Sequence, residues 1–118
     1  MLDHVCISVS PSKLDAVVEW YVAALSPLGY TLQRSYPTAF GLGPTSADTP
    51  FWIFAAKDEN ATAAGNGLHL AFKAKDHETV DKFHEEAIKA GGKDNGKPGL
   101  RALYGPDYYA AFVLDPQG

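Results

Sequence analysis

The chain has 118 residues and a mass of 12.7 kDa, with 46% hydrophobic and 20% charged residues, the size and balance of one globular domain. Its formal net charge is −4, and its ten Lys and Arg residues are scattered rather than clustered, which excludes a phosphate-reading surface and hence a nucleic-acid partner. No apolar stretch nears the roughly 20 residues of a membrane span, no basic-then-apolar leader opens the chain and Cys6 is alone, so neither a membrane partner nor an internal disulfide is expected, and a cytoplasmic location is.

Leu2 to Val9 alternates as a half-buried strand does, with Val5, Ile7 and Val9 on one face and His4, Cys6 and Ser8 on the other. Pro11 and Ser12 open a helix reaching to about Leu28, with Leu14, Val17, Val18, Tyr21, Ala24, Leu25 and Leu28 at helical spacing, and Gly29 closes it. Strands are predicted over Tyr30 to Tyr36, Thr38 to Leu42 and the aromatic segment Pro50 to Ala56. The small, polar loop Asp58 to Gly67 links the halves, giving a first module of about residues 1–57 and a second of about 67–118.

The second half repeats the order. Leu68 to Ala74 alternates, with Leu68, Leu70 and Phe72 on one face and His69, Ala71 and Lys73 on the other. Asp76 is an N-cap, with Thr79 three residues on, for a helix that runs to about Ala90, buries Val80, Phe83, Ala87 and Ile88, and ends at Gly91-Gly92. Lys93 to Leu103 supplies a short strand and a turn-rich stretch, and Tyr108 to Leu114 a clear strand. His4 and His69 lie 65 positions apart; the closing glycines Gly29 and Gly92, Trp20 and Phe83, and Leu25 and Ile88 each lie 63 apart. A near-constant offset of this kind marks a duplicated unit. Asp115-Pro116-Gln117-Gly118 has type I turn composition, which ordinarily leads into another antiparallel strand. The first half has three strands after its helix and the second two, so a final strand is predicted to be missing and the chain is read as truncated.

Two histidines at equivalent strand positions can converge on one point, the beginning of a metal site. Catalytic divalent metals commonly take three protein ligands, and two imidazoles alone bind weakly. Asp3 points to the opposite face from His4. Cys6 shares the His4 face, where its thiolate is an available ligand, although a buried small hydrophobe is the expected role. His77 and His84 read as solvated helix positions. Trp52 and Phe54 share one strand face and Phe51 and Ile53 the other; one pair lines the concave side as a wall for a small, flat or apolar ligand, or both serve as core. Trp52 and Phe54 are the substrate-binding candidates. Tyr104, Tyr108 and Tyr109 cluster near the last hairpin, and Tyr109 is the candidate catalytic phenol, placed to orient a water or donate to an oxyanion. Arg101 and Tyr104 are further substrate contacts, Arg101 for a carboxylate.

The βαβββ repeat, His4, the Trp20-Tyr21 pair, His69 and the segment from Pro106 through Asp115-Pro116-Gln117-Gly118 together resemble the vicinal oxygen chelate superfamily, which includes glyoxalase I, bleomycin-resistance proteins and extradiol dioxygenases. The likeness is greatest to its small, single-domain microbial members. It implies an α+β fold of paired modules forming an open, here incomplete, barrel around a divalent metal ion (Zn, Ni, Mn or Fe). It also implies His4 and His69 as ligands, with the third, usually a Glu after the Asp-Pro-x-Gly turn, absent from this chain. Two functions follow: metal-dependent lyase or dioxygenase chemistry on a small substrate with vicinal oxygens in the full-length protein, or metal-free sequestration of a small-molecule ligand. Open strand edges and the resemblance both imply a homodimer.

Overall fold

Proline and glycine set the boundaries of the first half. In the computed structural model, which describes residues 1–59 and 68–117, strand β1 (Val5–Val9) leads into helix α1 (Leu14–Leu25). The helix expected to reach Leu28 stops at Leu25 because Pro27 lacks the N–H that a further α-helical turn needs, and tight 3₁₀ turns, Pro11–Lys13 and Ser26–Leu28, flank it. Gly29, at φ 84°, then takes the left-handed conformation that ends the run. Strands β2 (Thr31–Tyr36), β3 (Ala39–Gly43) and β4 (Phe51–Ala55) follow.

These strands form a sheet in the order β1-β4-β3-β2, in which β1 pairs parallel with β4 and the other neighbours are antiparallel. Pleating sends Ile7, Val9, Phe51 and Ile53 to one face, where they are buried with Leu14, Val17, Val18, Trp20, Tyr21, Ala24 and Leu25 of α1. One face of the sheet is thereby covered by a helix. The other carries Cys6, Ser8 and Phe54, all exposed, so Cys6 is not the buried small hydrophobe its composition suggested.

In the second half, helix α2 (His77–Lys89) precedes a hairpin of β5 (Lys93–Leu100) and β6 (Tyr109–Leu114). Asp76 caps the helix as expected, its carboxylate accepting from the Thr79 amide at 2.8 Å and hydroxyl at 2.6 Å. Ile88, expected inside, lies on an exposed part of the helix surface, whereas Ala87 is fully buried.

The predicted strand Leu68–Ala74 does not form as a strand. β1 owes its ladder to β4, and the counterpart of β4 is not among the described residues; residues 68–74 therefore have no neighbour to pair with and make no backbone–backbone hydrogen bond among them. The mixed fold is accordingly an open one, a four-stranded sheet and a separate two-stranded sheet that do not close into a barrel. The linker over Asp58 to Gly67 lies largely outside the described residues, as does Gly118.

The halves join through their helices. The Trp20 indole donates to the Ala87 carbonyl at 2.9 Å, and the ring fits only because Gly92 has no side chain: a Cβ there would stand 2.8 Å from Trp20 Cζ2. The Tyr21 hydroxyl donates to Asp115 at 2.6 Å. Burial, and then the Asp115 carboxylate, raise the Tyr21 phenol far above its ordinary value, so it stays a donor throughout the accessible pH range. No helix among the described residues is long and apolar enough to cross a membrane.

Candidate functional site

The uncovered face of the first sheet carries a row of aromatic rings. Register fixes it: Cys6 stands beside Trp52 and Ser8 beside Phe54 on β1 and β4, Gly41 beside Trp52 and Ala39 beside Phe54 on β3 and β4, and Arg34 and Tyr36 of β2 beside Gly41 and Ala39. Tyr36 stacks on Trp52 at 6.4 Å between centroids and 15° between planes, and Trp52 on Phe54 at 6.1 Å and 29°. Of the two pairs distinguished by alternation, Phe51 and Ile53 are core while Trp52 and Phe54 face outward.

Trp52 is held in place by its own chain. Its indole N–H donates to the Thr49 carbonyl at 2.9 Å, and the ring lies against Gly41, where a Cβ would come within 2.9 Å of Trp52 Cζ2 and 2.7 Å of Thr49 Cγ2. Phe54 is 37% and Tyr36 53% exposed. Large rings left this accessible in a preset geometry make this face a candidate interaction surface. Sequence alternation found Trp52 and Phe54 but missed Tyr36 and Arg34, since only cross-strand register brings β2 onto the same face.

The two histidines stand in different surroundings. His4 precedes β1, half-exposed, and its Nδ1 lies 2.6 Å from Asp3 Oδ2; the alternation that set Asp3 opposite His4 does not apply because the strand begins at Val5. His69 packs edge-on to Phe112 at 5.7 Å and lines a groove of about 920 Å³ between residues 68–74 and β6, to which His4 does not contribute. Among the described residues no three His, Cys, Asp or Glu side chains come together. The described residues thus do not bring His4 and His69 together with a carboxylate, the set of three protein ligands a catalytic divalent metal commonly takes.

The remaining candidates belong to the second half. Arg101 lies over Phe112 at 5.5 Å and donates to the Lys97 carbonyl at 2.6 Å. With Tyr104, which meets Tyr108 at 5.5 Å, it borders a shallow hollow at the hairpin. The Tyr109 phenol donates to Asp81 at 2.6 Å and its ring stacks on His77 at 3.9 Å; the hydrogen bond to Asp81, foremost, raises its pKa above the ordinary phenol value. Thus the structure groups Trp52 with Phe54 and Arg101 with Tyr104, and sets His69 and Tyr109 along the groove. His84 is not simply solvated: its Nε2 lies 2.8 Å from Asp94 Oδ1. Asp115, read as a turn residue only, also anchors Tyr21.

No protein-family model matches the chain, and no curated protein does. Solved structures do. A glyoxalase/bleomycin resistance protein from Albidiferax ferrireducens is 30% identical, with 98% of this chain and 90% of that one covered and a TM-score of 0.80. A putative glyoxalase from Bacillus halodurans is 27% identical over 99% and 89% of the two chains, with a TM-score of 0.70. A glyoxalase/bleomycin resistance protein/dioxygenase family enzyme from Burkholderia phytofirmans, 22% identical over 98% and 91%, shares the fold with a TM-score of 0.63.

Proposed function

The chain belongs to the glyoxalase/bleomycin resistance protein family, and we propose that within it this protein binds and sequesters a flat, apolar small molecule on the uncovered face of the first sheet. The observation that carries the reading is the preset row Tyr36–Trp52–Phe54, two exposed rings flanking a half-buried indole, stacked at 15° and 29° on the sheet beneath them. A planar ligand laid on this row gains stacking and buries apolar area while displacing only loosely held water. Arg34, at the edge of the row, adds a donor for a polar substituent. Metal-dependent chemistry on vicinal oxygens, the other activity the family suggests, requires a donor beyond His4 and His69.

A planar tricyclic dye tests the proposal. With Trp20 replaced by Phe to isolate the signal, Trp52 fluorescence should be quenched saturably at micromolar dye. The Trp52→Ala protein, followed by dye anisotropy, should bind about two- to twelvefold more weakly, because one aromatic contact is worth roughly 0.5–1.5 kcal/mol. Stoichiometric Zn, Ni, Mn or Fe retained through dialysis and lost in His4→Ala and His69→Ala, with no dye binding, would overturn it in favour of the enzyme.

A further inference from the structure

We infer that the ligand laid on the aromatic row is a planar aromatic acid whose carboxylate is held by Arg34. The inference rests on the reading of that row as a binding surface and adds the ligand's charge and orientation. Strand register sets the geometry. Arg34, Gly41, Trp52 and Cys6 stand in one line across β2, β3, β4 and β1, and Tyr36, Ala39, Phe54 and Ser8 in the next. Neighbouring strands lie about 4.8 Å apart, so the Arg34 and Trp52 backbones are about 10 Å apart. The indole narrows that gap, because it lies over Gly41, where a Cβ would stand 2.9 Å from Trp52 Cζ2 and 3.0 Å from Cε2. A fused ring system resting on Trp52 and Tyr36 therefore has its β2 edge within reach of the Arg34 side chain.

Charge on this face is one-sided. Arg34 is the one Lys, Arg, Asp or Glu in the two lines. Its side chain is exposed, and among the described residues no carboxylate pairs with it. Its one hydrogen bond there runs from a terminal nitrogen to the Ser46 carbonyl at 3.3 Å. A guanidinium carries five N–H donors in a planar fork, so those left over match both oxygens of a carboxylate. The opposite end of the lines, Cys6 and Ser8 of β1, holds no charged side chain, which turns the ligand's acid toward β2 and leaves its rings over β4. The net charge of −4 acts only at long range. Exposed charges more than roughly 10 Å away are largely screened at 0.1 M salt, whereas an acid on the row touches the guanidinium directly. A cationic ligand there meets Arg34 as a like charge.

Three probes of one shape test the inference on the intact chain: anthracene bearing on an end ring a carboxylate, a hydroxymethyl or an aminomethyl group, each followed at neutral pH by its own fluorescence anisotropy. In low salt the carboxylate should bind at least about fivefold more tightly than the alcohol, the scale of one charge-assisted contact at an accessible site. The amine should bind more weakly than either. In Arg34→Gln the ratio of carboxylate to alcohol affinity should fall to about one, and in the native chain high salt should shrink it. Should the variant misfold, the three affinities and their salt dependence in the native chain decide alone. Equal affinity for carboxylate and alcohol, or tightest binding of the amine, overturns the inference and leaves the stacking surface standing. A carboxylate preference that survives Arg34→Gln overturns it as well, because the acid is then held elsewhere. If none of the three binds, the aromatic row is not a binding surface and both readings fall.

Discussion

β1 and residues 68–74 are two copies of one element with opposite fates. Both alternate, both precede a helix, and both send an apolar side chain toward the common core, Ile7 in one and Phe72 in the other. β1 has β4 beside it and becomes a strand; residues 68–74 have no strand neighbour and remain outside any ladder. Alternation thus specifies which side of a segment is buried, whereas strand formation belongs to the pair.

Hydrogen exchange gives the largest contrast. Amides in the β1–β4 ladder should open only with global unfolding, which costs about 5 kcal/mol or more, while those of residues 68–74 should exchange near the rate of an unfolded chain, a difference of at least about a thousandfold. Equal protection in the two segments would mean that the second copy has found a partner in solution. Next in size is Trp20→Ala, which removes a buried indole and its bond to Ala87 across the two halves. A loss of about 3–5 kcal/mol in a single urea transition is expected. Two separate transitions, with only the first shifted, would show that the halves fold independently.

Tyr21→Phe tests the same boundary more gently. The phenol donates to a carboxylate, and its removal should cost about 1.5–3 kcal/mol in urea denaturation. A cost below about 0.5 kcal/mol, the scale of ordinary surface changes, would show that Asp115 does not tie the end of the second half to α1.

Much of the fold was legible because its signals are local. Gly29 and Gly91 take positive φ at the ends of the two helical runs, Asp76 caps α2 with Thr79, and the 63-residue offset runs through both helical repeats. The α+β class and the open, incomplete barrel were what the family resemblance implied, and the structure has two separate sheets that do not close. Two kinds of information were not local. Register decided the composition of the aromatic face, so alternation within β4 named Trp52 and Phe54 but could not add Tyr36 or identify Gly41 as the space for the indole. Packing between elements decided the roles of Asp115, His84 and Tyr109, each of which bonds a residue 10 to 94 positions away, Asp115 across the halves and the other two within the second. The histidine symmetry was real at the level of the repeat; it describes equivalent places on two modules, which is a different property from a shared coordination sphere.

The smallest predicted effect is a pH dependence confined to the second half, where polar ties supplement a short ladder. The Asp94 carboxylate on β5 meets His84 of α2 and also accepts from the Gly96 amide at 3.0 Å. The His84 hydrogen bond, first, and the Gly96 amide, second, hold its pKa below the ordinary carboxylate value. A carboxyl group depressed in the folded state contributes stability above its unfolded pKa, and that contribution is lost as pH falls through the folded value. The melting temperature of the native chain should therefore drop slightly more between pH 6 and pH 3 than that of Asp94→Asn, with the chain's other carboxylates cancelling in the comparison. The pair is partly exposed, so screening keeps the difference small and 1 M salt should shrink it further. Parallel pH profiles for the two proteins would assign the seating of the hairpin on α2 to apolar packing alone.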